Sequence, residues 1–167
     1  MRLSLVLLLL GVAAPVAAQR PNCNAAPHRQ FDFWVGDWNV TDSAGQTAFG
    51  TNDVTREEDG CLIHEHWAGS KGGTGQSLNY YDLNTSKWVQ VWVDNGGGTL
   101  RLEGTLEDGK MVLLGTAPGP NNTTVLHRVI WSKESDGRVR QYWKSSTDGW
   151  KTSTIVIDGY YKLKSKS

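Results

Sequence analysis

The stretch "RVRQYWKSSTDGW", residues 138–150, contains both patterns that decide the fold. Its first seven residues alternate in character: Arg138, Arg140, Tyr142 and Lys144 share one face, and Val139, Gln141 and Trp143 share the other. A charged face opposite a mostly apolar face, with period two, is typical of a β-strand in the wall of a barrel or sandwich. Asp148-Gly149 then supplies the positive φ angles that a tight hairpin turn requires.

The same combination of strand and turn recurs along the chain. Asp-Gly or Asn-Gly pairs begin at Asp59, Asn95, Asp108, Asp136, Asp148 and Asp158. Between them lie short runs rich in β-branched and aromatic residues. We predict ten strands near residues 34–41, 47–55, 61–68, 75–82, 87–94, 98–106, 110–116, 123–132, 138–145 and 150–163, the last one bent or broken. Strands joined by hairpins at this spacing predict an all-β antiparallel meander, either an up-and-down barrel or a sandwich.

The N-terminus predicts export. Residues 1–18 combine a positive start, an apolar run and a small-residue cleavage site, as in a secretory signal peptide. We therefore expect a secreted or periplasmic protein, with an N-terminal segment at 19–30 and one barrel domain at 31–164. The 17 Lys and Arg residues balance 17 Asp and Glu residues without a basic stripe or a cationic amphipathic helix. This pattern argues against nucleic-acid binding and against membrane insertion.

The chain contains two cysteines, Cys23 and Cys61. In an oxidising compartment an even pair usually forms a disulfide, which here would tie the N-terminal segment to a later strand. The bridge would close a loop of about 39 residues and stabilise the fold by about 4 kcal/mol in the chain-entropy model. The alternative is two buried thiols.

A second stretch, "FDFWVGDWNV" at residues 31–40, is unusually rich in aromatic side chains. A strand through Trp34, Gly36, Trp38 and Val40 would place both tryptophans on one face, and Gly36 would leave room beside them. At least one open end of a barrel must be filled with apolar side chains. We predict that this stretch, and Trp38 in particular, fills one.

Six segments together resemble the bacterial domain-of-unknown-function family 1579: "FDFWVGDWNV", "DGCLIHEHW", "GQSLNYYD", "KWVQVWVD", "GRVRQYWKSSTDGW" and "DGYY". The resemblance spans residues 29–161, and Gly-x-Trp on the first strand also resembles lipocalins and the wider calycins. The chain departs from the family pattern at residues 148–150, where a longer Asp-Gly-Gly turn is expected. The resemblance implies a calycin-like (lipocalin-like or nitrobindin-like) up-and-down β-barrel of about ten strands, and it implies no activity.

Many of these motif residues alternate in phase along their strands. Gln141 and Trp143 lie opposite charged residues and are predicted to face inward. If the others follow, tryptophans, a few amides and one carboxylate line the lumen, as in a small-molecule pocket and unlike a dry core. The alternative is a buried, mutually satisfied polar network that fixes the barrel. The candidate ligand-binding residues are Trp38, Glu65, Trp67, Asn79, Trp88, Gln90, Trp92, Arg128, Gln141 and Trp143.

For three strands, the sequence pattern does not decide which face points into the lumen. Period two does not say which side of residues 61–68, 87–94 and 123–132 faces the lumen. An inward Arg128 would clamp an anionic ligand. The alternatives are that Arg128 extends to the surface or pairs with Glu65.

Histidines offer weak candidates for metal or haem. His64 and His66 share one strand face and would need a third ligand, and two outward histidines are the alternative. His127 is the best candidate for an axial haem ligand, as in a nitrobindin-like barrel, but the glycine-rich motif associated with nitrobindins is not evident. We therefore predict no metal and no cofactor.

Signals for catalysis are few. The sequence contains neither a nucleophile elbow nor a phosphate loop. Glu65 in an aromatic lumen would have a raised pKa and is the weak candidate for an acid or base. The predicted function is binding of a small apolar or amphipathic ligand in a Trp-lined lumen. The alternatives are a lyase, isomerase or hydrolase using Glu65, and a ligand-free structural or interaction module.

Overall fold

A computed structural model describes residues 23–165 of the chain. The predicted signal peptide at 1–18 and the start of the predicted N-terminal segment lie outside the described residues. Ten strands follow two short 3-10 turns, Ala26–Arg29 and Asp32–Trp34. They are β1 Gly36–Thr41, β2 Ala48–Glu57, β3 Leu62–Gly69, β4 Thr74–Asp82, β5 Lys87–Asp94, β6 Thr99–Glu107, β7 Lys110–Pro118, β8 Thr124–Lys133, β9 Val139–Ser146 and β10 Thr154–Leu163. Two further 3-10 turns, Glu58–Gly60 and Pro120–Asn122, lie between strands.

The sheet closes on itself, which confirms an all-β antiparallel barrel and excludes the sandwich. Each strand pairs with its neighbours in the sequence, and β1 pairs with β10 to complete the ring. That closing pair aligns Trp38 with Leu163 and Val40 with Tyr161. Closure gives every strand two hydrogen-bonded neighbours and leaves no sheet edge to protect. Within the described residues no helix has the length and apolar character needed to cross a membrane.

The aromatic opening differs from its predicted form at the first two residues of the predicted strand, 34 and 35. Trp34 belongs to the 3-10 turn, and β1 begins only at Gly36. Gly36 has a φ of 156°, a conformation that glycine adopts far more readily than other residues, and a Cβ there would lie 3.0 Å from the Trp38 ring. Strand alternation therefore does not extend back to Trp34.

As predicted, the aromatic stretch at residues 31–40 fills one end of the barrel. The side chains of Phe31 and Trp34, rather than that of Trp38, fill most of the space there. Both side chains are fully buried. The Phe31 ring centroid lies 4.9 Å from that of Trp34 and 5.6 Å from that of Trp88, and Trp34 lies 4.2 Å from Trp131. Since Trp88 belongs to β5 and Trp131 to β8, this cluster joins separate parts of the wall and closes the end at which β1 starts. We call it the closed end.

The predicted disulfide is present. Cys23 and Cys61 are bonded, with their Cα atoms 4.9 Å apart, and no free cysteine exists among the described residues. Because Cys61 immediately precedes β3, the bridge anchors the chain just before the aromatic turns. Arg56 adds an ion pair to Asp32 and donates a hydrogen bond to the Gly60 carbonyl at 2.7 Å.

The predicted break in the last strand is also seen. Residues 150–153 lie outside the sheet, β10 begins at Thr154, and its register against β9 shifts between Ile155 and Ile157. An inserted residue of this kind increases local twist and bends the strand. Beyond the bulge, Tyr161 points into the barrel and is buried.

Candidate functional site

A cavity of about 200 Å³ lies in the barrel lumen away from the closed end. Six of the ten candidate residues line it: Glu65, Trp67, Gln90, Trp92, Gln141 and Trp143. The remaining lining side chains are aliphatic residues of β6, β8 and β10 together with Tyr161. The indoles of Trp67, Trp92 and Trp143 are half-buried, whereas Glu65 is 4% exposed. The indoles therefore form the walls near the mouth, which we call the open end, and the polar groups lie deeper.

A repeated tripeptide builds this arrangement. Glu65-His66-Trp67 on β3, Gln90-Val91-Trp92 on β5 and Gln141-Tyr142-Trp143 on β9 each place a polar residue and a tryptophan two positions apart, on the same face. In an up-and-down barrel the odd-numbered strands all run in one direction. Each tryptophan therefore lies nearer the open end than its polar partner. This regularity settles the inner faces of residues 61–68 and 87–94.

A glycine makes room for one wall. The Trp92 indole packs over Gly75 of β4, and a Cβ at Gly75 would overlap the ring. The bare backbone lets the indole lie flat along the neighbouring strand. The orientation of Trp92 toward the cavity therefore depends on a residue of a different strand.

The floor is a hydrogen-bonded network centred on the Glu65 carboxyl group. Asn52 Nδ2 donates to Glu65 Oε1 at 2.8 Å, and Ser77 Oγ donates to Oε2 at 2.5 Å. Asn79 Nδ2 donates to Ser77 Oγ at 2.8 Å, and Gln90 Nε2 reaches the same oxygen at 3.4 Å. All five side chains are buried, and they connect β2, β3, β4 and β5 at the level of the cavity floor.

Burial dominates the titration of Glu65. Removal from water raises the pKa of this carboxyl group to about 7, against the lowering effects of the Ser77 and Asn52 hydrogen bonds and of His64. Desolvation disfavours the charged form, and the two donors offset only part of that cost. Glu65 therefore changes charge near neutral pH.

Tyr161 links the floor to the opposite wall. Its hydroxyl donates to Gln141 Oε1 at 2.8 Å, and its ring centroid lies 5.4 Å from that of Trp131 in the closed end. Burial, and then the negative charge of Glu65, hold the pKa of Tyr161 well above its usual range. The phenol thus stays protonated and serves as a fixed donor between the two ends.

Four candidate residues lie elsewhere. Trp38 and Trp88 are buried toward the closed end, where their indole N–H groups donate to the Trp34 carbonyl at 2.9 Å and to Gln30 Oε1 at 3.2 Å. Asn79 supports Ser77 without lining the cavity. Arg128 is exposed on the outer face, 5.8 Å from the Trp150 ring, because Val129 and Trp131 take the inner positions of β8. The inward alternative for Arg128 is therefore wrong.

The histidines divide between the two faces. His64 and His66 lie on the outer face of β3, where His64 contacts Glu57 at 3.3 Å and Gln76 at 3.0 Å. Within residues 23–165 no three His, Cys, Asp or Glu side chains are grouped so as to hold a metal ion.

His127 faces inward and accepts a hydrogen bond from Trp143 Nε1 on Nδ1 at 3.0 Å. Partial burial lowers its pKa, and an acceptor at Nδ1 places the ring proton on Nε2. This tautomer leaves no free lone pair on the ring, so the Trp143 contact competes with any axial metal bond.

Sequence reasoning missed two parts of the floor. Asn52 was overlooked, although it alternates in phase with Val54 on β2, and an amide at an inner position is the signal that could have found it. Tyr161 lies in the "DGYY" motif, but the bulge in β10 hides which of its two tyrosines faces inward.

No family model matches the chain, and no curated protein matches it. The chemistry of the cavity must therefore indicate its function. Aromatic walls, a water-accessible mouth and a few buried polar groups at the floor can bind a small molecule and orient it.

Proposed function

We propose that this protein is an exported, calycin-like β-barrel that binds a small molecule non-covalently at its open end. The observation that carries the proposal is the cavity of about 200 Å³, with indole walls and a polar floor around Glu65. The apolar walls would supply most of the binding free energy. Glu65, Gln90, Gln141 and Tyr161 would set the orientation of the ligand.

The volume limits the ligand to roughly one ring. An apolar protein cavity of about 150 Å³ accommodates benzene, so 200 Å³ leaves space for one ring and a short substituent. Burying about 200 Å² of apolar ligand surface contributes about 5 kcal/mol, which corresponds to a dissociation constant on the order of 0.1–1 mM before any polar contact. A polar contact at the floor is then needed for tight, selective binding.

Membership of the calycin barrels, and of domain-of-unknown-function family 1579, is part of this proposal. The closed ten-strand meander and the Gly36-Asp37-Trp38 step on β1 support it. Export is proposed from the leader at 1–18 and from the Cys23–Cys61 disulfide, since such bonds persist in oxidising compartments.

The test is a tryptophan-fluorescence screen of one-ring compounds, followed by native mass spectrometry of the compounds that respond. Leu100→Trp adds an indole to the cavity lining and should abolish the response. Leu114→Trp adds the same group at an exposed position and should leave the response unchanged. Binding that survives Leu100→Trp would place the ligand elsewhere. A screen without any response would favour a ligand-free structural or interaction module.

One observation favours a second candidate, an enzyme that uses Glu65 as an acid or base. The carboxyl group lines the cavity and its pKa is raised to about 7, which suits proton transfer at neutral pH. Glu65→Gln separates the two functions. In an enzyme the substitution should abolish turnover of a bound compound, whereas a binding protein should retain affinity for uncharged ligands.

A further inference from the structure

We infer that the ligand is a small organic cation, an ammonium group on an apolar body of about one ring, with its nitrogen against Glu65 and its body between the tryptophans. The inference rests on the proposed function and specifies its ligand class. Three independent features of the lumen lead to it: its charge, its unpaired hydrogen-bond acceptors and its walls.

The first feature is a carboxyl group without a cation. Among the residues that the structure describes, Glu65 and Tyr161 are the only ionisable side chains that line the cavity, and no lysine, arginine or histidine of that part lines it. Of the titratable groups near Glu65, Tyr161 faces it from β10 as a neutral phenol, and His64 lies on the outer side of β3. A buried carboxylate is costly unless it is paired, and a cationic ligand would supply the missing partner.

The second feature is a shortage of donors. Asn52 Oδ1 and Asn79 Oδ1 are buried and receive no hydrogen bond from the described residues. The Ser77 hydroxyl proton is already committed to Glu65. Two acceptor oxygens in the network around the carboxyl group therefore lack a donor among the described residues. An ammonium group brings three donors and no acceptor, whereas a carboxylate or phosphate ligand would add acceptors to the same floor.

The third feature is the wall. Trp67, Trp92 and Trp143 surround the entrance to the floor, and indole is the best side chain for attracting a cation to its face. The same faces repel an anion. Aromatic walls around a carboxylate thus favour a cation over a neutral molecule of equal size.

The test is calorimetry on the exported protein with three probes of one size. At pH 8 benzylamine is a cation, benzyl alcohol is neutral and benzoate is an anion. We expect benzylamine to bind at least tenfold more tightly than benzyl alcohol, and benzoate not to bind. Glu65→Gln should reduce that preference to within about twofold. Glu103→Gln, the same change on the exposed outer face of β6, is the control.

A measurement on the unmodified protein covers the case in which Glu65→Gln does not fold. Because the pKa of Glu65 is about 7, benzylamine binding at pH 7 should release about half a proton. The proton release is measured from the change in binding enthalpy between buffers of different ionisation enthalpy. Affinity for benzylamine should rise about tenfold from pH 6 to pH 8, and benzyl alcohol should show neither effect.

The possible failures are distinct. If benzyl alcohol binds as tightly as benzylamine, or benzoate binds best, or no proton is released, the ligand class is wrong and the binding cavity stands. If none of the three probes binds and the one-ring screen gives no response, the proposed function itself fails.

Discussion

The two ends of the barrel use the same side chain for different purposes. In the closed end, Trp34 and Trp131 are fully buried and pack on one another and on Phe31. In the open end, Trp67 and Trp92 remain half-buried and stand around a cavity. The difference lies in the neighbours two positions away: Glu65 and Gln90 precede the open-end tryptophans, whereas Val129 precedes Trp131. The number of tryptophans thus says little about function. The residue two positions away on the same strand face is informative.

The two ends should also differ in what their residues contribute to stability. A fully buried tryptophan contributes both its transfer free energy and the filling of its own volume. A tryptophan that borders a cavity contributes only part of its transfer free energy and only part of the volume filling. Four substitutions measure this difference, from the closed end to the open end.

Trp34→Ala should cause the largest loss, about 4–5 kcal/mol of unfolding free energy, because it empties the centre of the aromatic cluster. Urea unfolding followed by circular dichroism measures it. Trp34→Phe is the matched control and should cost much less, since Trp34 Nε1 has no hydrogen-bond partner among residues 23–165. A loss below about 2 kcal/mol for the alanine variant would mean that the closed end is not the main core.

Cys23→Ala with Cys61→Ala should lower the unfolding free energy by about 4 kcal/mol, from the chain entropy released when a 38-residue separation is no longer bridged. Ligand affinity at the open end should not change, because the bridge anchors the chain at the closed end. Urea unfolding and the fluorescence assay measure the two quantities on the same samples. A parallel loss of affinity would show that the two ends are coupled.

Glu65→Gln should stabilise the protein at pH 8 by about 3 kcal/mol and change little near pH 4. The pKa of Glu65 rises on folding from 4.5 to about 7, so the folded state binds the proton more tightly. The stabilisation from this group is complete below pH 4.5 and disappears as the pH rises through 7.

Unfolding free energies of both proteins, measured from pH 4 to pH 8, test this linkage. The difference between them should grow with pH. A constant difference would mean that Glu65 ionises in the folded protein as it does in water.

Trp92→Ala should have the smallest effect on stability, about 1–2 kcal/mol, because the indole is half-buried beside the cavity. Its effect on ligand binding should be larger, at least a tenfold weakening. Arg128→Ala, on the outer face, should change neither stability nor affinity and serves as the control. If Trp92→Ala costs as much stability as Trp34→Ala, the open end is a filled core.

Much of the fold was predictable because its signals are local. Alternation within seven residues and an Asp-Gly pair specify a strand and its turn, and the predicted strands match the observed ones closely. Trp34 was misassigned because alternation fits it equally well in a strand or a preceding turn. β1 starts where Gly36 pairs with Val54 of β2, and a pairing with another strand is not visible in the local pattern.

The candidate site was predictable in part. The residues at two-residue spacing, Glu65 with Trp67 and Gln141 with Trp143, do meet around one cavity. Trp38 and Trp88 share that phase but lie toward the other end, because phase gives the face of a strand and not the height along the barrel. Height depends on the register between strands, which pairs Asn79 with Gln90 and Ser77 with Trp92.

The sequence by itself determined the strands, the turns between them and the pairing of polar residues with tryptophans, because these depend on neighbours within a few residues. Tertiary structure decided which face became the lumen, which end was filled and where a cavity remained. Those outcomes depend on closure between β1 and β10 and on packing between residues far apart in the chain. The raised pKa of Glu65 belongs to the second group, since only the assembled barrel removes that carboxyl group from water.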